Sequence, residues 1–62
     1  MNWVKSKVSI TYWLEEKGSY IAFILVEGKE FVAYVGTRKS KHLGIFNKLN
    51  KAKEAILNEL GE

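Results

Sequence analysis

The stretch SYIAFILVEGKEFVAYVGT, residues 19–37, decides the fold. Two runs of aliphatic, β-branched and aromatic residues, Ser19–Glu27 and residues 30–37, enclose the dipeptide Gly28-Lys29. Runs of that composition are strands, and a two-residue break led by Gly predicts a type II′ hairpin turn with Gly28 at positive φ. Upstream, residues 4–14 alternate, with Val4, Val8, Ile10, Tyr12 and Leu14 on one side and Lys5, Lys7, Ser9, Thr11 and Trp13 on the other. A period of two predicts one further strand. The polar Glu15-Glu16-Lys17-Gly18 that follows reads as a four-residue hairpin loop. Downstream the period changes. Ile45, Leu49, Ala52, Ile56 and Leu60 step by four, three, four and four, the stripe of an amphipathic helix that Gly61 can terminate. A helix from Lys41, capped by Ser40, would enclose Gly44. A short extended segment over residues 42–46, with Asn47 as the cap, avoids that cost and is favoured.

The expected architecture is therefore α+β: an antiparallel meander of three to four strands, with one C-terminal amphipathic helix packed on one sheet face. The 62 residues form one small domain. A chain of this length buries only about 60% of its unfolded surface, so its core is marginal. Setting Leu14 opposite Ser19, and Glu27 opposite Glu30, assigns residues to faces. Val8, Ile10, Tyr12, Ile21, Phe23, Leu25, Val32 and Tyr34 share one face, which the helix should cover. Trp13, Tyr20, Ala22, Ile24, Val26, Phe31, Ala33 and Val35 share the other, with Lys5 and Lys7 beside them. One helix covers one face, and a spare apolar face marks an interface. Trp13, Tyr20, Ile24, Phe31 and Ala33 are accordingly the expected contacts of a homodimer or of another protein partner.

Composition narrows the function. Hydrophobic residues make up 47% of the chain, which excludes disorder. There is no Cys, no Asp and one His, so neither a thiolate metal site nor a catalytic constellation can be assembled from recognisable parts. No enzyme, cofactor or metal is expected. The apolar run from Tyr20 to Val26 is too short for a membrane span. The expected location is intracellular, in the cytoplasm. Ten Lys+Arg against seven Glu give a net charge of +3, a bias toward polyanions. Basic residues are densest in Thr37-Arg38-Lys39-Ser40-Lys41-His42, where cations lie among hydroxyl donors suited to phosphate. Arg38, Lys39, Lys41 and His42 are the expected nucleic-acid contacts, joined by Lys5 and Lys7 on the first strand. Duplex DNA bound with low sequence specificity is the favoured partner. A non-enzymatic interaction module docking through the apolar face is the alternative.

The string FVAYVGTRKSKHLGIFNKLNKAKEAI, residues 31–56, resembles the second half of an AP2/integrase-arm type DNA-binding domain. In that family an alternating strand containing Ala leads through a basic turn to a K-x-LG-x-F strand and then to an Ala-bearing helix. Ala33, Lys41, Leu43, Gly44, Phe46, Ala52 and Ala55 fall at those positions in order. The resemblance implies a three-stranded sheet that meets DNA. Phe31, Tyr34 and Gly36 stand at the second-strand positions where the family projects reading side chains, and none is Arg. What the resemblance implies here is phosphate contact by Arg38, Lys39 and Lys41. The hairpin-plus-helix outline is also similar to the HicB-type antitoxin fold, a partner-binding dimer, which would make the chain a phage- or antitoxin-type regulator.

Overall fold

The computed structural model describes residues 1–7 and 10–61. Five strands form one antiparallel sheet: β1 (Asn2–Lys5), β2 (Thr11–Glu16), β3 (Ser19–Glu27), β4 (Glu30–Val35) and β5 (Lys41–Phe46). The sheet order is β1-β2-β3-β4-β5, a plain meander, and the helix α1 (Leu49–Glu59) follows. The α+β class and the single helix on one sheet face are as the sequence indicates, with one or two strands more.

The hairpin of β3 and β4 has the expected turn. Glu27 pairs with Glu30, and Gly28 has φ 62°. Among described residues only Lys17 has positive φ without being Gly, so Lys29 lies outside that region and the turn is of type II′. The preceding hairpin differs from expectation. Glu16 pairs with Ser19, so its turn is the two residues Lys17 (φ 51°) and Gly18 (φ 80°). Two consecutive positive φ values define type I′, whose twist matches that of the strands. Leu14 consequently lies opposite Ala22 rather than Ser19, a slide of three residues. An odd slide moves β2 to the other side relative to β3. A bulge between Leu14 and Glu15 then brings Glu15 opposite Tyr20.

The expected strand over residues 4–14 is two strands. β1 folds back on β2, pairing Trp3 with Leu14 and Val4 with Trp13. Ser6 N–H donates to the Thr11 carbonyl across the connection. Val8 and Ser9, which belonged to that expected strand, lie outside the described residues. Ile10 does not join the covered face and is 63% exposed.

On β3 and β4 the helix covers the side expected to be free, while Tyr12 and Leu14 of β2 lie under it as expected. Leu14, Ala22, Ile24, Ala33, Ala52 and Ile56 form the core, all but Leu14 at 0% exposure. The physical reason is size. Ala22 and Ala33 on the sheet and Ala52 on the helix let the two layers approach at the centre, where the opposite face carries the rings of Phe23 and Tyr34. Ile24 and Ala33 are thus core residues rather than accessible contacts. Phe31 is half-buried against that core, with Leu49, Leu57 and Leu60 beside it. Ile45, expected to begin the helical stripe, sits on β5 and is exposed.

The N-cap of α1 is Lys48, one residue beyond the favoured Asn47, and it makes no side-chain cap hydrogen bond. Lys53 of α1 extends over Trp3 and Tyr12, its Nζ 5.2 Å and 5.9 Å from their ring centres. That contact joins the helix to the β1–β2 side of the sheet. Among the described residues no helix is long and apolar enough to cross a membrane.

Candidate nucleic-acid interface

The face of the sheet away from α1 carries a row of rings. Trp13 lies opposite Phe23, Phe23 opposite Tyr34 and Tyr34 opposite His42, so four strands contribute one ring each. Tyr20, displaced by the bulge, stacks on Trp13 at 5.1 Å and 29°. Trp13 and Phe23 are 5.2 Å apart, and Tyr34 meets His42 edge-on at 5.3 Å. At 4.9 Å and 13°, Phe23 and Tyr34 are offset-stacked, each covering part of the other's face. Interior rings therefore spend their faces on one another. The row ends at Tyr20, 46% exposed, and at His42, also exposed.

The basic segment connects β4 to β5 at the end of the sheet where Tyr20 lies. Gly36 N–H donates to the Ile21 carbonyl at 2.8 Å, which sets the start of the β4–β5 connection beside the neighbour of Tyr20. The connection then returns to β5 one residue before His42. Its tightness depends on Gly36 at φ 90°, because a Cβ there would stand 3.2 Å from the Lys39 carbonyl oxygen. Thr37, Arg38, Lys39 and Ser40 are all exposed. Arg38 and Lys39 thus lie in a connection at the end of the sheet where β3 carries Tyr20, and which leads into His42 on β5.

The other expected contacts are placed elsewhere. Lys41 Nζ forms an ion pair with Glu59 at 2.8 Å, so its charge is shared with the end of the helix. Lys5 is on β1, at the opposite sheet edge from the basic connection, four strand spacings or about 19 Å away. It alternates with Val4 and shares its side with Trp3, on the face that α1 packs against. Lys7 follows β1 in the connection to β2 and is exposed. The structure brings together Arg38, Lys39 and His42, and leaves Lys5 and Lys7 apart from them.

Of the expected interface residues, Trp13 and Tyr20 are on the open face. Phe23 and Tyr34 join them there, although the sequence reading placed both under the helix. The signal that could have found them is the Lys17-Gly18 pair: as a two-residue turn it starts the ladder at Glu16 and Ser19. Toward the other end of this face, Leu25, Val32 and Ile45 form a second row. By alternation, Glu27 and Glu30 follow at its margin, directly opposite one another. The chain matches no protein-family model, no curated protein and no solved structure.

Proposed function

We propose that this chain is a non-enzymatic nucleic-acid-binding protein of low sequence specificity. The observation that carries the reading is that the exposed basic connection with Arg38 and Lys39 leaves the sheet at the end that carries the exposed Tyr20 and leads into the exposed His42. Cationic side chains supply sequence-independent attraction to phosphate, and ring edges and faces supply contacts to bases or sugars. The resemblance of residues 31–56 to AP2/integrase-arm domains supports the same reading. Of the second-strand positions named for that resemblance, Tyr34 projects on the open face and Phe31 packs against the core.

Fluorescence anisotropy of labelled nucleic acid, titrated at several salt concentrations, tests the proposal. Binding should weaken log-linearly with salt, and the double variant Arg38→Ala/Lys39→Ala should reduce the slope by about two. An unchanged slope in that variant would refute the assignment of these residues. The exposure of Ile45 on the open face, at 57%, supports a second reading, in which a second copy of the chain docks there. Sedimentation equilibrium of the wild type and of Ile45→Lys decides it. A dimer that the substitution dissociates supports docking, and a monomer at high micromolar concentration removes it.

A further inference from the structure

We infer that the nucleic acid recognised is single-stranded, and that it crosses the end of the sheet from β3 to β5 with bases on Tyr20 and His42 and phosphates on Arg38 and Lys39. The inference rests on the nucleic-acid reading above and names unpaired strands as its target, in place of the duplex DNA that the sequence favours.

Three observations carry it. First, the ring faces in the middle of the row are occupied by each other, so stacking is offered at the two ends, Tyr20 and His42. A base can use such a face only if its own face is uncovered. In a duplex every base is paired and stacked on neighbours spaced about 3.4 Å apart along each strand. Second, Tyr20 and His42 belong to β3 and β5, two strand spacings or about 10 Å apart, and Tyr20 is further offset along the strands from the row that holds His42, so the two rings are at least that far apart. Bases held that far apart are splayed, a geometry open to a flexible single strand. Third, the charges fix the path. The connection with Arg38 and Lys39 leaves the sheet at the Tyr20 end, where Lys17 also turns and Glu15 is the one carboxylate paired beside Tyr20. Glu27 and Glu30 stand together at the opposite end of the same face and repel a polyanion. A strand lying lengthwise along β3 and β4 would meet that carboxylate pair. One crossing the Tyr20 end meets the single carboxylate of Glu15 with Lys17, Arg38 and Lys39 at the same end.

The test compares three labelled probes at matched salt: a thymidine oligonucleotide of about 12 nucleotides, within the site sizes small sheet modules cover, its duplex with the complementary strand, and an abasic strand of equal length. The thymidine strand should bind about tenfold or more tighter than either of the others. The double variant Tyr20→Ser/His42→Ser should lose about tenfold or more for the thymidine strand, and little for the abasic one. Circular dichroism checks that this variant is folded, and the abasic probe asks the same question of the wild-type protein. Duplex binding equal to or tighter than single-strand binding would overturn the inference, as would equal affinity for abasic and thymidine strands. Either result leaves the nucleic-acid reading standing. Absence of salt-dependent binding to all three probes would remove both.

Discussion

Lys41, the first residue of β5, holds Glu59, the last residue of α1, in an ion pair of 2.8 Å. The pair closes the end of the helix onto the sheet edge, beside the basic connection. Both side chains are well exposed, so water and salt screen the interaction and its contribution to stability is at most about 1 kcal/mol. Its larger effect is on charge, because Glu59 places a carboxylate among cations proposed to meet phosphate.

Glu59→Gln should therefore change binding more than folding. The melting temperature should shift by no more than about 4–8 °C, the equivalent of 1 kcal/mol in a domain this small. Affinity for a labelled oligonucleotide at low salt should rise a few-fold, and the difference should shrink as salt increases. Equal or weaker binding by Glu59→Gln would show that Lys41 and its neighbourhood take no part.

The turn between β2 and β3 contains a correctable strain. Lys17 has φ 51°, a region in which a side chain with a Cβ costs energy and which Asn tolerates better. Lys17→Asn recreates the Asn-Gly pair preferred in type I′ turns. It should stabilise the protein by about 0.5–1 kcal/mol, read from the midpoint of urea unfolding. Gly18→Ala, forcing a side chain to φ 80°, should move that midpoint the other way.

The start of α1 opposes ordinary helix electrostatics. Lys48 is the N-cap without a cap hydrogen bond, no acidic residue lies in the first turn, and no basic residue in the last. Amino-terminal N–H groups are left without a side-chain acceptor, and the helix dipole meets a cation. Lys48→Asp supplies both an acceptor and the favourable charge. It should add about 1 kcal/mol of stability, seen as a rise in melting temperature of about 4–8 °C. A fall would mean that the Lys48 stem has a packing role.

These features also show what the sequence reveals and what it hides. The β3–β4 hairpin is legible because Gly28 marks a two-residue turn, and α1 because Leu49, Ala52, Ile56 and Leu60 keep helical spacing. The reversal between β1 and β2 is hidden because the alternation of residues 4–14 passes through it without a Gly or Pro. The first hairpin misleads for a different reason. Glu15 and Glu16 look like loop residues, yet both pair in the ladder. From that slide the two sides of β3 and β4 exchange roles, Ile24 and Ala33 entering the core and Phe23 and Tyr34 leaving it, while β2 keeps its expected sides. The basic connection is legible from charge density. Its approach to Tyr20 is not, because it depends on the Gly36–Ile21 hydrogen bond between segments distant in sequence.

That exchange of faces makes two isoleucines a sharp test of the architecture. Ile24 is at 0% exposure between sheet and helix, and Ile45 is 57% exposed on the other side. Truncating a buried Ile to Ala removes methyl groups from a packed interior and leaves a cavity, at a cost of about 2–5 kcal/mol. A domain of this size has a total stability of only about 3–9 kcal/mol at typical values per residue. Ile24→Ala should therefore lose a large share of its stability, about 2–5 kcal/mol, whereas Ile45→Ala should unfold within about 0.5 kcal/mol of the wild type. Urea titrations followed by tryptophan fluorescence measure both, since Trp3 and Trp13 report on opposite sides of the sheet. Were Ile45→Ala as damaging as Ile24→Ala, the open face would be covered in solution, and a second copy of the chain would become the first candidate for its cover. A large loss for Ile24 alone, with Ile45 silent at every protein concentration, leaves the face free for a ligand.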